Sequence, residues 1–245
     1  MEPRQEWTRY TKSPIVEVTC QLHFPDLLTI PASPPAAFQD KVRARYPHFA
    51  PTQDRRGYVF SRHDRQEYVT LTQNTLAVTL TAFSEWAEFR AACAGVETAF
   101  RTVYGPAVYT RTTLRYRSLF RPQAYGIAPL EWDQLINAAA LGPLALPGMT
   151  GTLQGSRHDL VLVLPDADGT DRFRLVHGFV TVTEPAQGRP SGEPGYLLEQ
   201  EYFSIDPLQP QQLAPRLDRF NQEAARFFKH CVLEQLHTAM LPLAA

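Results

Sequence analysis

Two hydrophobic periodicities, one of period two and one of period 3.6, occur along this chain in the same order twice. That order constrains the fold more than any single motif. From Ile15 to Phe24 the residues alternate: Val16, Val18, Cys20, Leu22 and Phe24 share one face, and Glu17, Thr19, Gln21 and His23 the other. This predicts a half-buried strand. The P-A-S-P-P run at 31–35 opens a short helix over about 35–46, because proline is tolerated in a helix's first turn. Strands follow at about 57–62, 68–72 and 76–83, joined by the link 63–66 and a turn at Gln73-Asn74. Ser84 is the expected N-cap of a long helix, and Glu85 suits the positive end of its dipole. Trp86, Phe89, Cys93, Val96, Phe100 and Val103 form a single apolar stripe on that helix, and Gly105-Pro106 ends it.

The order then recurs. A strand at 109–120 precedes a helix at about 129–141 carrying Trp132, Leu135 and Ile136. Strands are expected at about 153–164, 172–183 and 195–205, separated by the loops 166–169 and 185–195. A long helix over 211–240 closes the chain, with Leu213, Leu217, Phe220, Ala224, Phe227, Cys231 and Val232 on one side. The pattern repeats although the residues do not. The expected fold is α+β: a single compact domain, 1–245, built from pseudo-repeats at about 15–104 and 109–240. Two long helices pack on one curved, largely antiparallel sheet of about eight strands. Pseudo-twofold symmetry places the strands 15–24 and 109–120 side by side at its centre.

The second of these strands carries the strongest chemical signal. Tyr109–Phe120 reads Y-T-R-T-T-L-R-Y-R-S-L-F, so Arg111, Thr113, Arg115 and Arg117 share a face, with Tyr109 assigned to it as well. No acidic residue lies between Glu97 and Glu131, whereas five arginines do. Three guanidinium groups on one face repel each other unless something negative sits opposite. Internal candidates are Glu17, Glu199 and Glu201, with Gln21 and His23 within reach; the external candidate is an acidic ligand or partner, which a guanidinium fork binds bidentately.

Charge distribution favours internal pairing. Residues 1–130 carry 16 Lys+Arg against 11 Asp+Glu, and residues 131–245 carry 8 against 14, so the two parts attract each other. With only Lys12, Lys41 and Lys229 as lysines and no basic terminus, nucleic-acid binding through the arginine strand ranks below a protein or anionic ligand. No apolar run reaches membrane-spanning length, and Met1 to Ser13 has no signal-peptide core; a cytoplasmic location is expected. Cys20, Cys93 and Cys231 are odd in number, lie in apolar patterns and are expected to be buried, reduced thiols.

The usual catalytic signatures are missing. The seven histidines show no H-x-x-x-H or H-E-x-x-H spacing, and His230 and His237 lie about 10 Å apart along a helix. No metal or cofactor is therefore expected. Gly155-Ser156 lacks the flanking glycines of a nucleophile elbow, and no phosphate-binding loop or dinucleotide fingerprint occurs. Glu199 and Glu201 share a strand face, so a small-molecule pocket with hydrolytic use of the two carboxylates is one alternative. The simpler reading has them solvated or facing the arginines.

The chain also resembles a sporadically distributed family of uncharacterised prokaryotic proteins. The resemblance rests on Ser13-Pro14-Ile15-Val16-Glu17-Val18 through Phe24-Pro25 and on Arg111-Thr-Thr-Leu114-Arg115-Tyr116-Arg117-Ser118. Trp86 with Phe89, and the Phe227-Phe228 pair of the closing helix, add to it. Ser118 stands where the family's R-x-x-L-R-Y-x-N pattern has Asn, and Thr113 where it usually has Gly. The resemblance implies no established chemistry; patchy distribution implies genes that travel, such as defence or toxin-related loci. The leading expectation is a non-enzymatic cytoplasmic binding or adaptor module, a subunit of such an assembly, that contacts a protein partner or an acidic ligand. Arg111, Arg115, Arg117, Glu17, His23, Glu199 and Glu201 are its candidate contact residues.

Overall fold

The computed structural model describes residues 7–128, 130–142, 155–165, 170–183 and 190–243. Among them, nine strands form one curved antiparallel sheet. The first repeat contributes β1 (Ile15–His23), β2 (His48–Pro51), β3 (Gly57–Ser61), β4 (Glu67–Thr72) and β5 (Thr75–Leu80), and the second contributes β6 (Arg111–Phe120), β7 (His158–Val163), β8 (Asp171–Thr183) and β9 (Pro190–Ser204). Their spatial order is β2-β3-β4-β5-β1-β6-β9-β8-β7. Outward from the centre, β1-β5-β4-β3 is matched by β6-β9-β8-β7, which is the arrangement a duplicated unit gives. As expected, the two first strands pair, with Val18 opposite Tyr116 and His23 opposite Arg111.

Helices α1 (Thr29–Ala32) and α2 (Ala36–Val42) precede β2. The long helices α3 (Trp86–Tyr104) and α6 (Leu213–Cys231) touch each other and cover one face of the sheet, α3 against β5 and α6 against β6 and β9. The side chains that alternate towards them make the core: Val18, Cys20 and Leu22 of β1, Leu114, Tyr116 and Phe120 of β6, Leu198 and Tyr202 of β9. Phe89, Cys93, Val96 and Phe100 of the predicted α3 stripe are buried against them, while Trp86 and Val103 sit at its margin. Gly105, at φ 55°, supplies the left-handed residue that ends α3.

Several expectations need correction. Val16 is exposed because a register shift between Ile15 and Glu17 turns it out and buries Ile15 instead. The N-cap of α3 is Glu85; Ser84 lies one residue outside and its hydroxyl donates to Glu88 Oε2 at 2.8 Å. The ninth strand, β2, follows Pro47, which reads as the end of the short helix, and itself closes on Pro51, a proline tolerated because the strand is at the sheet edge. The helix expected over 129–141 is broken. In its place are α4 (Pro122–Tyr125), a 3-10 turn at Trp132–Gln134, and α5 (Ala138–Leu141), capped by Asn137 Oδ1 accepting from Ala139 N. Pro129 lies outside the described residues.

The closing helix is also interrupted. Val232 is extended and bridges Ile136, Leu233 N donates to Leu135 O, and α7 (Glu234–Ala239) starts anew. These cross-chain bonds outcompete helix continuation at a β-branched residue. On α6 it is Phe228, with Asn221 and Ala225, that is buried, and Phe227 only partly so. β9 begins at Pro190, inside the expected 185–195 loop. The expected strand start at 153–154 and the loop 166–169 lie outside the described residues. No described helix is long and apolar enough to cross a membrane.

Candidate functional site

The sheet face opposite the helices is covered by no described element and carries all seven candidate residues. Period-two alternation puts Arg111, Thr113, Arg115 and Arg117 of β6 there, between Glu17, Thr19, Gln21 and His23 of β1 and Glu199, Glu201 and Phe203 of β9. Across β6–β9, Arg115 lies opposite Glu201 and Arg117 opposite Glu199; across β1–β6, Arg117 lies opposite Glu17.

Each arginine of the row has a carboxylate. Arg111 Nη2 donates to Glu201 Oε1 at 2.8 Å, its Nε to Thr113 Oγ1 at 3.3 Å, and its guanidinium lies 3.9 Å from the centre of the Phe203 ring. Arg115 Nη2 donates to Glu17 Oε1 at 2.7 Å. Arg117 Nε approaches Glu199 Oε2 only to 3.8 Å and is the most exposed of the three. The row continues onto β8, where Arg174 holds Asp159 of β7 through two bonds of 3.0 and 2.7 Å and reaches Glu201 Oε2 at 3.7 Å. Beneath the charges, Thr19 and Thr79 are buried and joined at 3.1 Å.

His23 lies beside this network, its Nε2 3.1 Å from Gln21 Nε2. Burial, reinforced by the Arg111 charge and opposed by Glu201, lowers its pKa, so it is a neutral group at physiological pH. Glu199 and Glu201 are both engaged by arginines, which is the arrangement of struts rather than of a free acid–base pair. Tyr109 is not on this face. It is fully buried on the helix side, where its hydroxyl donates to Glu97 Oε1 of α3 at 2.8 Å. β6 proper starts two residues later, and Tyr109 forms only an isolated bridge with Leu208.

The charge asymmetry along the chain is realised as contacts between its two parts: Arg90–Asp218, Arg111–Glu201, Arg117–Glu199 and Arg121–Glu193. Arg174, Asp159 and Phe203 were not singled out from the sequence, although Arg172-Phe173-Arg174 repeats the i, i+2 arginine spacing of β6.

The helix side holds further buried polar groups. Glu67 accepts from Arg45 at 2.9 and 2.7 Å, from Arg62 at 3.4 Å, and from the Tyr46 hydroxyl. Burial works to raise its pKa, but these donors outweigh it and hold the carboxyl below its ordinary range. Asp171, fully buried at the start of β8, pairs with Arg216 and Arg219 of α6. His177 Nδ1 lies 2.7 Å from Tyr196 Oη, which donates to Ala140 O at 2.9 Å, so the histidine is the donor of that pair. Nearby, Ser156 Oγ accepts from Phe179 N, and no Ser–His hydrogen bond occurs among the described residues.

All three cysteines are free and buried, and burial pushes the Cys231 thiol up to about 12. Such thiols are poor nucleophiles. Among the described residues, no group of three or more His, Cys, Asp or Glu is placed to hold a metal ion. No protein-family model matches the chain, and no curated protein is found similar to it.

Proposed function

We propose that this chain is a non-enzymatic, cytoplasmic binding module that docks a protein partner on the open face of its sheet. The observation that carries this reading is the charge-balanced row Glu17–Arg115, Arg111–Glu201–Arg174–Asp159 and Arg117–Glu199 on a face that no described element covers. A face that binds a polyanion leaves its cations unmatched. Here the cations are matched, and the resulting mosaic of both signs suits a protein surface. Among the described arginines of the row, Arg117, the most exposed and paired only at 3.8 Å, turns outward most readily to meet an acidic group of the partner. Internally paired arginines and carboxylates on long strands also give such a surface rigidity, which lowers the entropic cost of docking.

The test is capture of a partner from the native host on the immobilised chain, compared between wild type and Arg117→Glu. The partner should be retained by the wild type and lost by the charge reversal. Equal retention by both would refute docking on this face.

A further inference from the structure

The two edges of the sheet are built differently. At the β2 edge, Thr52 N donates to Gly57 O, so Thr52, Ala50 and His48 point their backbone groups inward to β3. The outward positions are then Pro47, Phe49 and Pro51, and the two prolines offer no N–H to a neighbouring strand. That edge is closed to further pairing.

The β7 edge has no such protection. Leu164 N donates to Asp171 O and Ser156 N to Phe179 O, so the even-numbered residues bond inward to β8. Asp159, Val161 and Val163 therefore point three N–H and three C=O groups outward. The strand is also apolar on both faces, with Leu160 38%, Val161 56%, Leu162 52% and Val163 61% exposed. Its one charge, Asp159, is turned inward onto Arg174 and does not guard the edge. No described element lies outside it.

From this geometry we infer that β7 is a dimerisation edge, and that its occupant is β7 of a second copy of this chain. The strand is self-complementary about a twofold axis through Val161. Antiparallel pairing there sets Val161 against Val161, Leu160 against Leu162, and Asp159 against Val163 of the second copy. Apolar residues then meet apolar residues on both faces at the centre, and no like charges face each other. Among registers that keep each face with its like, this one engages all six outward backbone groups in hydrogen bonds. The result is a continuous sheet through two chains, with both helix layers on one side. The docking face is centred on β6, three strands from the seam, and only the Asp159 end of its charged row reaches β7.

Sedimentation velocity from micromolar to near-millimolar concentration tests this. The wild type should run at twice the mass of the chain. Val161→Pro removes an outward N–H without breaking a bond to β8, and Val161→Lys adds a charge at the axis; both should run as folded monomers whose melting temperature no longer rises with protein concentration. A wild type that stays monomeric, or a dimer that survives both substitutions, overturns the inference. Residue-resolved hydrogen exchange on the wild type needs no variant: the amides of Asp159, Val161 and Val163 should slow as concentration rises. Fast exchange of these three at every concentration overturns it equally.

Discussion

Replacing Asn221 by alanine should cost more than the loss of one surface amide, because its Oδ1 is the shared acceptor of two aromatic donors. Trp7 Nε1 reaches it at 2.8 Å and the Tyr116 hydroxyl at 2.7 Å. Tyr116 is fully buried, and burial raises its pKa far above the ordinary phenol value, so it remains a donor that must find an acceptor. Stranding that hydroxyl costs about 1–3 kcal/mol, and the half-buried Trp7 indole adds to the lower end of that range, for about 2–4 kcal/mol together. In a chain of this length each kcal/mol moves the melting temperature by about 2–4 °C, so the fall is about 5–15 °C. Urea unfolding followed by circular dichroism, at constant slope, measures the free energy.

The decisive comparison adds Tyr116→Phe. Alone, it leaves Asn221 bonded to Trp7 and costs about 1 kcal/mol. In the Asn221→Ala background it removes the stranded hydroxyl, so the double variant should lie about 1 kcal/mol or more above the additive expectation. Strict additivity would refute the shared-acceptor account and leave Trp7 and Tyr116 as independent packing groups.

Phe100→Ala should cost about 3–5 kcal/mol, since Phe100 is fully buried with Phe24 at 4.6 Å and Tyr104 at 5.2 Å between ring centres. An unchanged urea midpoint would show that the α3 stripe is not core. Glu67 predicts a pH dependence of definite sign: its folded pKa lies below the ordinary carboxyl value despite burial. Its stabilising contribution is therefore present above the unfolded carboxyl range and is lost as pH falls through the folded value. Glu67→Gln should destabilise at neutral pH and flatten the acid limb of the stability profile; an acid limb as steep as the wild type's would count against this assignment.

Periodicity exposed most of the architecture. β1 and β6 alternate through ten or so residues, and the α3 stripe recurs over five turns, so one buried face dictates each element's type and register. Where the structure departs, a non-local contact has overridden the local pattern. Val232 leaves the closing helix because Ile136, nearly a hundred residues away, bridges it. Tyr109 extends the alternation of β6 in letters, but Glu97 on α3 supplies the only described acceptor for its hydroxyl and draws it to the opposite side. The Phe227-Phe228 pair could not be resolved by a period of 3.6 alone, since adjacent residues on a helix differ by only a hundred degrees.

The candidate face was partly legible for the same reason. Three arginines at i, i+4 and i+6 on a strand must share a face, and nearby carboxylates at Glu17, Glu199 and Glu201 are their natural internal partners. The actual assignment, Arg111 to Glu201, Arg115 to Glu17 and Arg117 to Glu199, depends on sheet order and rotamer, which no single strand encodes. Arg174 and Asp159 join the row only because β8 lies beside β9 and β7 beside β8.

The central claim, that the row is internal scaffolding exposing Arg117 to a protein partner, is tested most directly by contrasting two of its members. Arg115→Met removes a 2.7 Å pair with Glu17 that is partly screened by solvent, and should lower folding stability by about 1 kcal/mol while capture of the host partner per folded molecule is unchanged. Arg117→Glu sets a carboxylate opposite both Glu17 and Glu199 and so also lowers the melt, but unlike Arg115→Met it should abolish capture per folded molecule. An Arg115→Met variant that melts like the wild type while capture collapses would contradict the account and make the arginine row a ligand-binding site.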